Sequence, residues 1–180
     1  METMLFTTDS LWTMVHGIVL GGGAMLGLFA ALFAMRTLAF GTGEGVGADR
    51  QARELGWLLV MLAIVLWLAV IAGTYIVFPP YRATPPEGLA DLSQYPRALI
   101  RATPGYGWLH SYAMETKEHV PWIAAMLATA AAFIGVRYKT AVLRDVHLRN
   151  MVMALLAICF VLVSYVSLLG VFVNKAAPLD

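Results

Sequence analysis

Residues Leu55–Phe78 read LGWLLVMLAIVLWLAVIAGTYIVF, an apolar run without a single charged side chain. As a helix that rises 1.5 Å per residue, such a run crosses a hydrocarbon core of about 30 Å. Three similar runs occur elsewhere in the chain, and none of the eleven acidic residues lies in any of the four. The other runs are Leu11–Phe40, Val120–Val136 and Met151–Val173. The pattern predicts four transmembrane helices.

The composition supports a membrane protein and excludes other classes. The chain of 180 residues is 60% hydrophobic and 13% charged, whereas soluble domains carry about 25% charged residues. Polar and apolar residues do not alternate as in a membrane β-barrel. We therefore predict an all-α fold, a single integral membrane four-helix bundle over residues 1–180. Its spans lie at about 11–40, 55–78, 120–138 and 150–173.

The basic residues predict the orientation, because Lys and Arg are enriched in cytoplasmic loops. Seven of them lie in or beside the first and third connections, and five lie in the tails and the second loop. The seven are Arg36, Arg50, Arg53, Arg137, Lys139, Arg144 and Arg149. We predict that both termini lie on the outer, periplasmic side, together with the long Pro-, Tyr- and Arg-rich loop Pro79–Glu118.

Charge and cysteine content exclude further classes. The net charge of +1 gives no electrostatic case for binding nucleic acid. A single cysteine, Cys159, allows neither an intramolecular disulfide nor a multi-cysteine zinc site. Because it lies in the middle of a span, we predict that it is a small buried core residue.

Two histidines predict where chemistry enters the membrane. His16 lies about 8 Å into the first span from its outer end, and His119 opens the third span from the same side. Imidazole inside lipid is costly and commonly functional. Gly73–Tyr75 and Ser164–Ser167 fall at the same level, and His110 approaches it from above. We predict one polar layer in the outer half of the bundle.

The first hypothesis for this layer is one b-type haem, with His16 and His119 as its two axial ligands. Glu118 would orient the His119 ring, as carboxylates often do for a ligating imidazole. His110 is an alternative ligand. Tyr75 and Tyr165 would line the pocket or the approach of a quinone.

The outer loop would then supply partners for the haem propionates. Guanidinium groups bind carboxylates through paired hydrogen bonds, and tyrosines can assist them. The candidates are Arg82, Arg97, Arg101, Tyr81 and Tyr95.

Other interpretations of the same residues stay open. His16 could bond across helices, while His119 could be an ordinary interfacial residue. Glu115 and His119, four residues apart, could bind a metal ion with a further histidine, but a di-iron bundle needs more carboxylates in the spans. Lys117 could neutralise Glu115 or the neighbouring Glu118.

Glycines on the face of His16 are open to two interpretations. Gly23 and Gly27 follow it at i+7 and i+11, close to one stripe of the helix. Small residues at such spacings commonly serve close packing of membrane helices. They would also leave room for a flat macrocycle beside His16. The alanines of the third span have the same ambiguity.

Two blocks of sequence resemble those of small, poorly characterised bacterial four-helix membrane proteins. They are GTYIVFPPYR at Gly73–Arg82 and WLHSYAMETKEHVPW at Trp108–Trp122. The resemblance implies that these blocks form the site and that the chain is a multi-pass protein of a bacterial inner membrane. The overall layout is also similar to that of four-helix membrane b-type cytochromes.

We therefore expect a membrane electron-transfer protein or respiratory-complex subunit that binds one haem b near the outer face and exchanges electrons with quinone. Its partners would be the lipid bilayer and either other subunits or a redox partner on the outer side. The alternative from another class is a non-catalytic structural subunit of a larger membrane complex. A metal-binding membrane protein is less favoured by the ligand count.

Overall fold

The structure is a computed structural model that describes residues 7–41 and 47–178. For residues 39–41 it describes the backbone alone. Six helical elements follow one another along the chain. They are α1 (Thr8–Leu38), α2 (Gly47–Arg82), α3 (Pro96–Ala102), α4 (Leu109–Tyr138), α5 (Thr140–Arg144) and α6 (Val146–Ala176). The four long helices are each apolar and long enough to cross a membrane, which confirms the prediction of four spans.

The long helices extend beyond the apolar runs from which they were predicted. α2 begins at Gly47 rather than at Leu55, and its first turns carry an exposed ion pair between Arg50 and Glu54. α4 begins at Leu109 rather than at Val120, so the polar segment before the apolar run is part of the same helix. Hydropathy marks the part of a helix that lies in lipid, whereas backbone hydrogen bonding continues into the interface.

The helices pack in the order α1, α2, α4, α6 around the bundle. α2 packs on α4, α4 on α6, and α1 closes the ring between α6 and α2. α1 and α4 therefore lie diagonally opposite one another. A side chain of α1 meets one of α4 only by reaching through the centre of the bundle.

Small residues bring α2 and α4 close together. Gly135 of α4 lies against α2, where an added Cβ would sit 2.7 Å from Leu59 Cδ1. Alanines fill the rest of the α4 face and are buried: Ala124, Ala125, Ala128, Ala131 and Ala132. The Trp67 indole donates a hydrogen bond from α2 to Thr129 Oγ1 on α4 at 3.0 Å. At these alanines the packing interpretation holds.

Cys159 is fully buried, as predicted. Its thiol lies against α4, where Sγ donates to the Ala124 carbonyl at 3.3 Å.

α1 is the most loosely held helix. Only 22% of its most apolar stretch of 18 residues is buried, compared with 44% of the corresponding stretch of α2. Gly27 packs tightly, since an added Cβ would sit 3.2 Å from Leu62 Cδ1, but Gly17 and Gly23 have nothing within 4 Å. Packing therefore explains Gly27, and the other two glycines lie on an open face.

The end of the bundle that carries the loop between α2 and α4 is named the outer end after its predicted orientation. It has its own small core, which holds the cap helix α3. The buried members are Tyr81, Pro96, Ile100, Leu109, Ala113, Met114, Leu169, Val173 and Ala177. Within the loop before α3, the Ser93 backbone N–H donates to the Asp91 carboxylate at 2.9 Å. This hydrogen bond lowers the pKa of Asp91. The segment after α2 is thus an ordered cap.

Three helices contain a wide, π-helical stretch, and all three stretches lie at the outer end. They are Val15–Gly22 in α1, Gly73–Val77 in α2 and Leu109–Met114 in α4. The first contains three glycines, which relax the backbone. The second precedes Pro79 and Pro80, which have no N–H to bond the carbonyls four residues back. Wide turns of this kind are frequent at functional sites.

Because α2 and α4 pack tightly, a large side chain on the buried face of α4 should destabilise the protein more than the same side chain on its exposed face. Ala128→Leu places a large side chain in a filled interface and should lower stability by about 1–3 kcal/mol. Ala130→Leu, on the exposed face of the same helix, should have little effect. Thermal unfolding of the detergent-purified variants measures both. Equal unfolding temperatures for the two would contradict the packing described.

Candidate functional site

Lys117 shares one stripe of α4 with the buried alanines. Ala124, Ala128 and Ala131 follow it at i+7, i+11 and i+14, and all three are buried. Residues at these spacings stack along one face of a helix. The face that packs α4 into the bundle therefore carries Lys117 inward, and its side chain is partly buried.

His119 lies on the opposite stripe. The residues at i+7 and i+14 from it, Met126 and Phe133, are 55% and 65% exposed. Two residues along an α-helix are separated by about 200° of rotation, so a helix that directs Lys117 inward directs His119 outward. The His119 ring is exposed, and its Nδ1 donates to the Glu115 carbonyl at 2.7 Å.

His16 faces inward and rests on Gly73. A Cβ added at Gly73 would sit 2.7 Å from His16 Cε1 and 3.3 Å from Nε2. Only glycine at this position of α2 lets the imidazole lie so close to the backbone. The ring is partly buried and lies near the Ala69 backbone, but its Nδ1 is fully enclosed and has no hydrogen-bond partner of good geometry. Buried polar atoms are normally paired, so this nitrogen is an unmet donor or acceptor.

Lys117 and His16 both face the centre of the bundle, although they come from diagonally opposite helices. The Lys117 ammonium is near enough to act electrostatically on the His16 ring. The Lys117 ammonium lies against α6, where a Cβ added at Gly170 would sit 3.1 Å from Nζ. All four long helices thus contribute to one level: two nitrogen-bearing side chains from α1 and α4, and two glycines from α2 and α6. We call this arrangement the His16–Lys117 site.

No carboxylate neutralises this site within residues 7–41 and 47–178, where Arg50–Glu54 is the only ion pair. Lys117 pairs with neither Glu115 nor Glu118, so the interpretation of Lys117 as their neutralising partner is wrong. The physical reason is the packing of the Lys117 stripe, which separates its ammonium from the outward-facing Glu115. A charged group withdrawn from water without a counter-ion costs free energy, so the position of Lys117 needs an explanation.

Glu118 does not take the role predicted for it. It is partly buried and makes no hydrogen bond to His119. The backbone carbonyl of Glu115, one helical turn before His119, accepts from Nδ1 instead. Because the His119 ring turns back along its own helix, the carbonyl is the nearer acceptor.

Tyr75 and Tyr165, which were predicted to line a pocket, lie on the exposed surface of the bundle. Tyr75 is 68% exposed on the surface of α2. Tyr165 is exposed on α6, and its hydroxyl is hydrogen-bonded to that of Tyr112 on α4. Neither tyrosine contacts the His16–Lys117 site. The Tyr112–Tyr165 pair instead ties α4 to α6 at the surface of the bundle.

The arginines predicted as partners of haem propionates lie on two elements that contact each other, the end of α2 and α3. Arg82 ends α2 with its guanidinium 5.3 Å from the centre of the Phe78 ring, and Arg97 and Arg101 lie on the cap helix α3. Arg97 and Arg101 act electrostatically on both Tyr81 and His110. His110 Nδ1 and the Tyr81 hydroxyl are hydrogen-bonded at 3.2 Å. His110 therefore belongs to this outer group rather than to the site below it.

The histidines do not form a facing pair. His16 points into the bundle from α1, and His119 points away from it on the diagonal helix. Across the part of the chain that the structure describes, His, Cys, Asp and Glu side chains also form no group of three suited to a metal ion. The geometry does not fit a haem held between His16 and His119 inside this bundle, so that ligation stays a prediction from the sequence alone.

Sequence reasoning missed the inward position of Lys117 and the role of Gly73 and Gly170 in making room for the His16 and Lys117 side chains. A signal for Lys117 was present, since it lies on the stripe of Ala124, Ala128 and Ala131. No comparable signal marks Gly73 or Gly170, because a glycine reveals its role only once the neighbouring helix is known.

No protein-family model matches the chain, and no curated protein or solved structure matches it either. The resemblance carried by the blocks Gly73–Arg82 and Trp108–Trp122 stays a prediction. The assignment of a function therefore depends on the site itself.

The contact between His16 and Gly73 makes a sharp prediction. Gly73→Ala places a methyl group at 2.7 Å from Cε1, so the imidazole must leave its position. Gly17→Ala, next to His16 with nothing within 4 Å of the new Cβ, is the matched control. We expect histidine ring resonances to shift in NMR spectra of the detergent-solubilised Gly73 variant, and to stay in place in the control. Identical spectra for wild type and the Gly73 variant would contradict the contact.

Proposed function

We propose that this chain is an electron-transfer subunit of a membrane complex, and that it binds a quinone head group at the His16–Lys117 site. We place it in a bacterial inner membrane with both termini on the periplasmic side. The observation that carries the proposal is the enclosed Nδ1 of His16, which has no hydrogen-bond partner, together with the inward-facing Lys117 ammonium, which has no counter-ion among the described residues.

The chemistry of a quinone matches these two groups. Its carbonyl oxygens accept hydrogen bonds, and each oxygen gains negative charge as the ring takes up electrons. An ammonium group is a donor that never accepts, and a hydrogen bond from a charged donor is about twice as strong as a neutral one. Fixed donors aimed at developing charge are an effective form of electrostatic stabilisation in a site of low dielectric. Lys117 would stabilise the reduced ring, and His16 would bond the other oxygen or exchange its proton.

The position of the site also supports a lipid-soluble ligand. The site lies in the outer half of the bundle, at the level of the wide turns of α1 and α2. The His16 ring remains partly exposed, and α1 is the least buried of the four spans. A head group that arrives from the bilayer would meet His16 at the loosely packed edge of the bundle.

Binding of a short-chain ubiquinone analogue to the detergent-purified protein tests this proposal. His16→Ala and Lys117→Met each remove one donor, and each should weaken binding by at least about tenfold, as expected for a hydrogen bond to a charged or buried group. His147→Ala, on an exposed residue at the other end of the bundle, should leave the affinity unchanged. Unaltered affinity in both site variants would overturn the proposal.

Thermal unfolding of the same Lys117 variant separates a functional from a structural role. A lysine kept for stability would make the methionine variant less stable. A lysine kept for a ligand should make the ligand-free variant more stable, on the order of 1 kcal/mol, because an uncompensated cation leaves the bundle. A large loss of stability would show that Lys117 serves the fold.

A single b-type haem is the second candidate, favoured by the hydrogen bond of His119. Its Nδ1 donates to a backbone carbonyl, which leaves Nε2 free in the manner of a metal-ligating imidazole. Because this ring faces away from the bundle, a haem there would lie between this chain and another subunit. When bound, the haem would supply one-electron transfer.

The visible spectrum of the purified complex decides this candidate. A haem on His119 predicts a Soret band that is lost in His119→Ala and retained in His16→Ala. The opposite pattern would favour ligation by His16. A colourless complex that also binds no quinone would favour the non-catalytic structural subunit.

A further inference from the structure

A second feature, independent of the His16–Lys117 site, lies at the outer end of the bundle. Three arginines lie on the end of α2 and on α3, which pack together around the hydrogen-bonded pair Tyr81–His110. Arg82 comes from the end of α2, and Arg97 and Arg101 come from the cap helix α3. All three charges act on the His110 ring, and those of Arg97 and Arg101 act on Tyr81 as well. We call these residues the outer arginine cluster.

No arginine of the cluster forms an ion pair among the described residues, although the Glu118 carboxylate lies near enough to interact electrostatically with Arg82 and Arg97. Glu115 and Glu118 lie near enough to interact electrostatically with Tyr81, but neither forms an ion pair with an arginine. Within residues 7–41 and 47–178, Arg50–Glu54 is the only ion pair. Arg97 Nε is fully buried and has no acceptor. A buried N–H of a charged group without an acceptor costs free energy that an oxyanion would recover.

The cluster is held on a firm support. Pro96 and Ile100 anchor α3 in the small outer core, and Tyr81 on the end of α2 is only 4% exposed. Arg97 and Arg101 are therefore presented by a helix that is already fixed on the bundle. Groups that are pre-organised in this way lose little conformational freedom on binding.

We propose that the outer arginine cluster binds a phosphate group. Guanidinium groups match phosphate oxygens through paired hydrogen bonds, and Tyr81 and His110 add neutral partners beside them. The cluster sits where a spanning helix ends, which is the level of phospholipid head groups. The phosphate is therefore carried either by an anionic lipid or by a small molecule from the outer solution.

Binding measurements on the full-length, detergent-purified protein test the proposal with three probes. The probes are inorganic phosphate, a short-chain phosphatidylglycerol and its phosphatidylcholine counterpart, which has no net charge. Arg97→Gln and Arg101→Gln should each weaken binding of the anionic probes by about tenfold, as for a lost charge-assisted hydrogen bond. Arg144→Gln, exposed at the inner end, is the matched control.

The pattern across the probes identifies the source of the phosphate. Binding of phosphatidylglycerol without inorganic phosphate indicates a lipid, and binding of both indicates phosphate recognition that a soluble ligand can satisfy. No binding of either anion, or an unchanged affinity in both cluster variants, would overturn the proposal. Phosphatidylcholine, whose choline cation offsets its phosphate charge, should bind more weakly than phosphatidylglycerol. Because Arg101 is exposed, its variant remains informative if replacement of Arg97 disturbs the cap. Lys117→Met should bind phosphatidylglycerol normally, which keeps this test separate from that of the quinone site.

Discussion

The packing of one face of α4 determines the rest of this structure. Between lipid-embedded helices, close contact requires small side chains, and α4 supplies them as alanines and Gly135 along a single stripe. Lys117 stands on the same stripe, so the contact that assembles the bundle also draws an ammonium group into it. The same geometry turns His119 outward. Packing and chemistry are thus two results of one helical periodicity.

The His16–Lys117 site depends on glycines of the two helices that separate α1 from α4. Gly73 allows the imidazole to lie on the backbone of α2, and Gly170 does the same for the lysine stem on α6. The two polar groups can extend into the centre of the bundle because Gly73 and Gly170 have no side chains at those points. Glycine here makes room for neighbouring side chains, a role distinct from the turn chemistry for which it is better known.

The sequence was sufficient for the four apolar helices. It misled at the level of helix faces. His16 and His119 share a depth, and depth alone favoured them as a pair, but Met126 and Phe133 on the His119 stripe already marked it as outward. The neighbours of His16 could not be read from the chain, since they depend on the order in which the helices pack. The orientation in the membrane stays a prediction from the Lys and Arg count.

The wide turns of α1, α2 and α4 have a consequence for how such a protein changes over evolution. Relative to an α-helical turn, a π-helical turn holds one residue more, so residues beyond it are offset in azimuth from the inner half of the same helix. The buried alanines of α4 fix the packing of the inner halves of the helices. An insertion or deletion within a wide turn would rotate the side chains between that turn and the outer end of the helix. The outer end can therefore acquire a new ligand preference while the contact made by the α4 alanines stays unchanged.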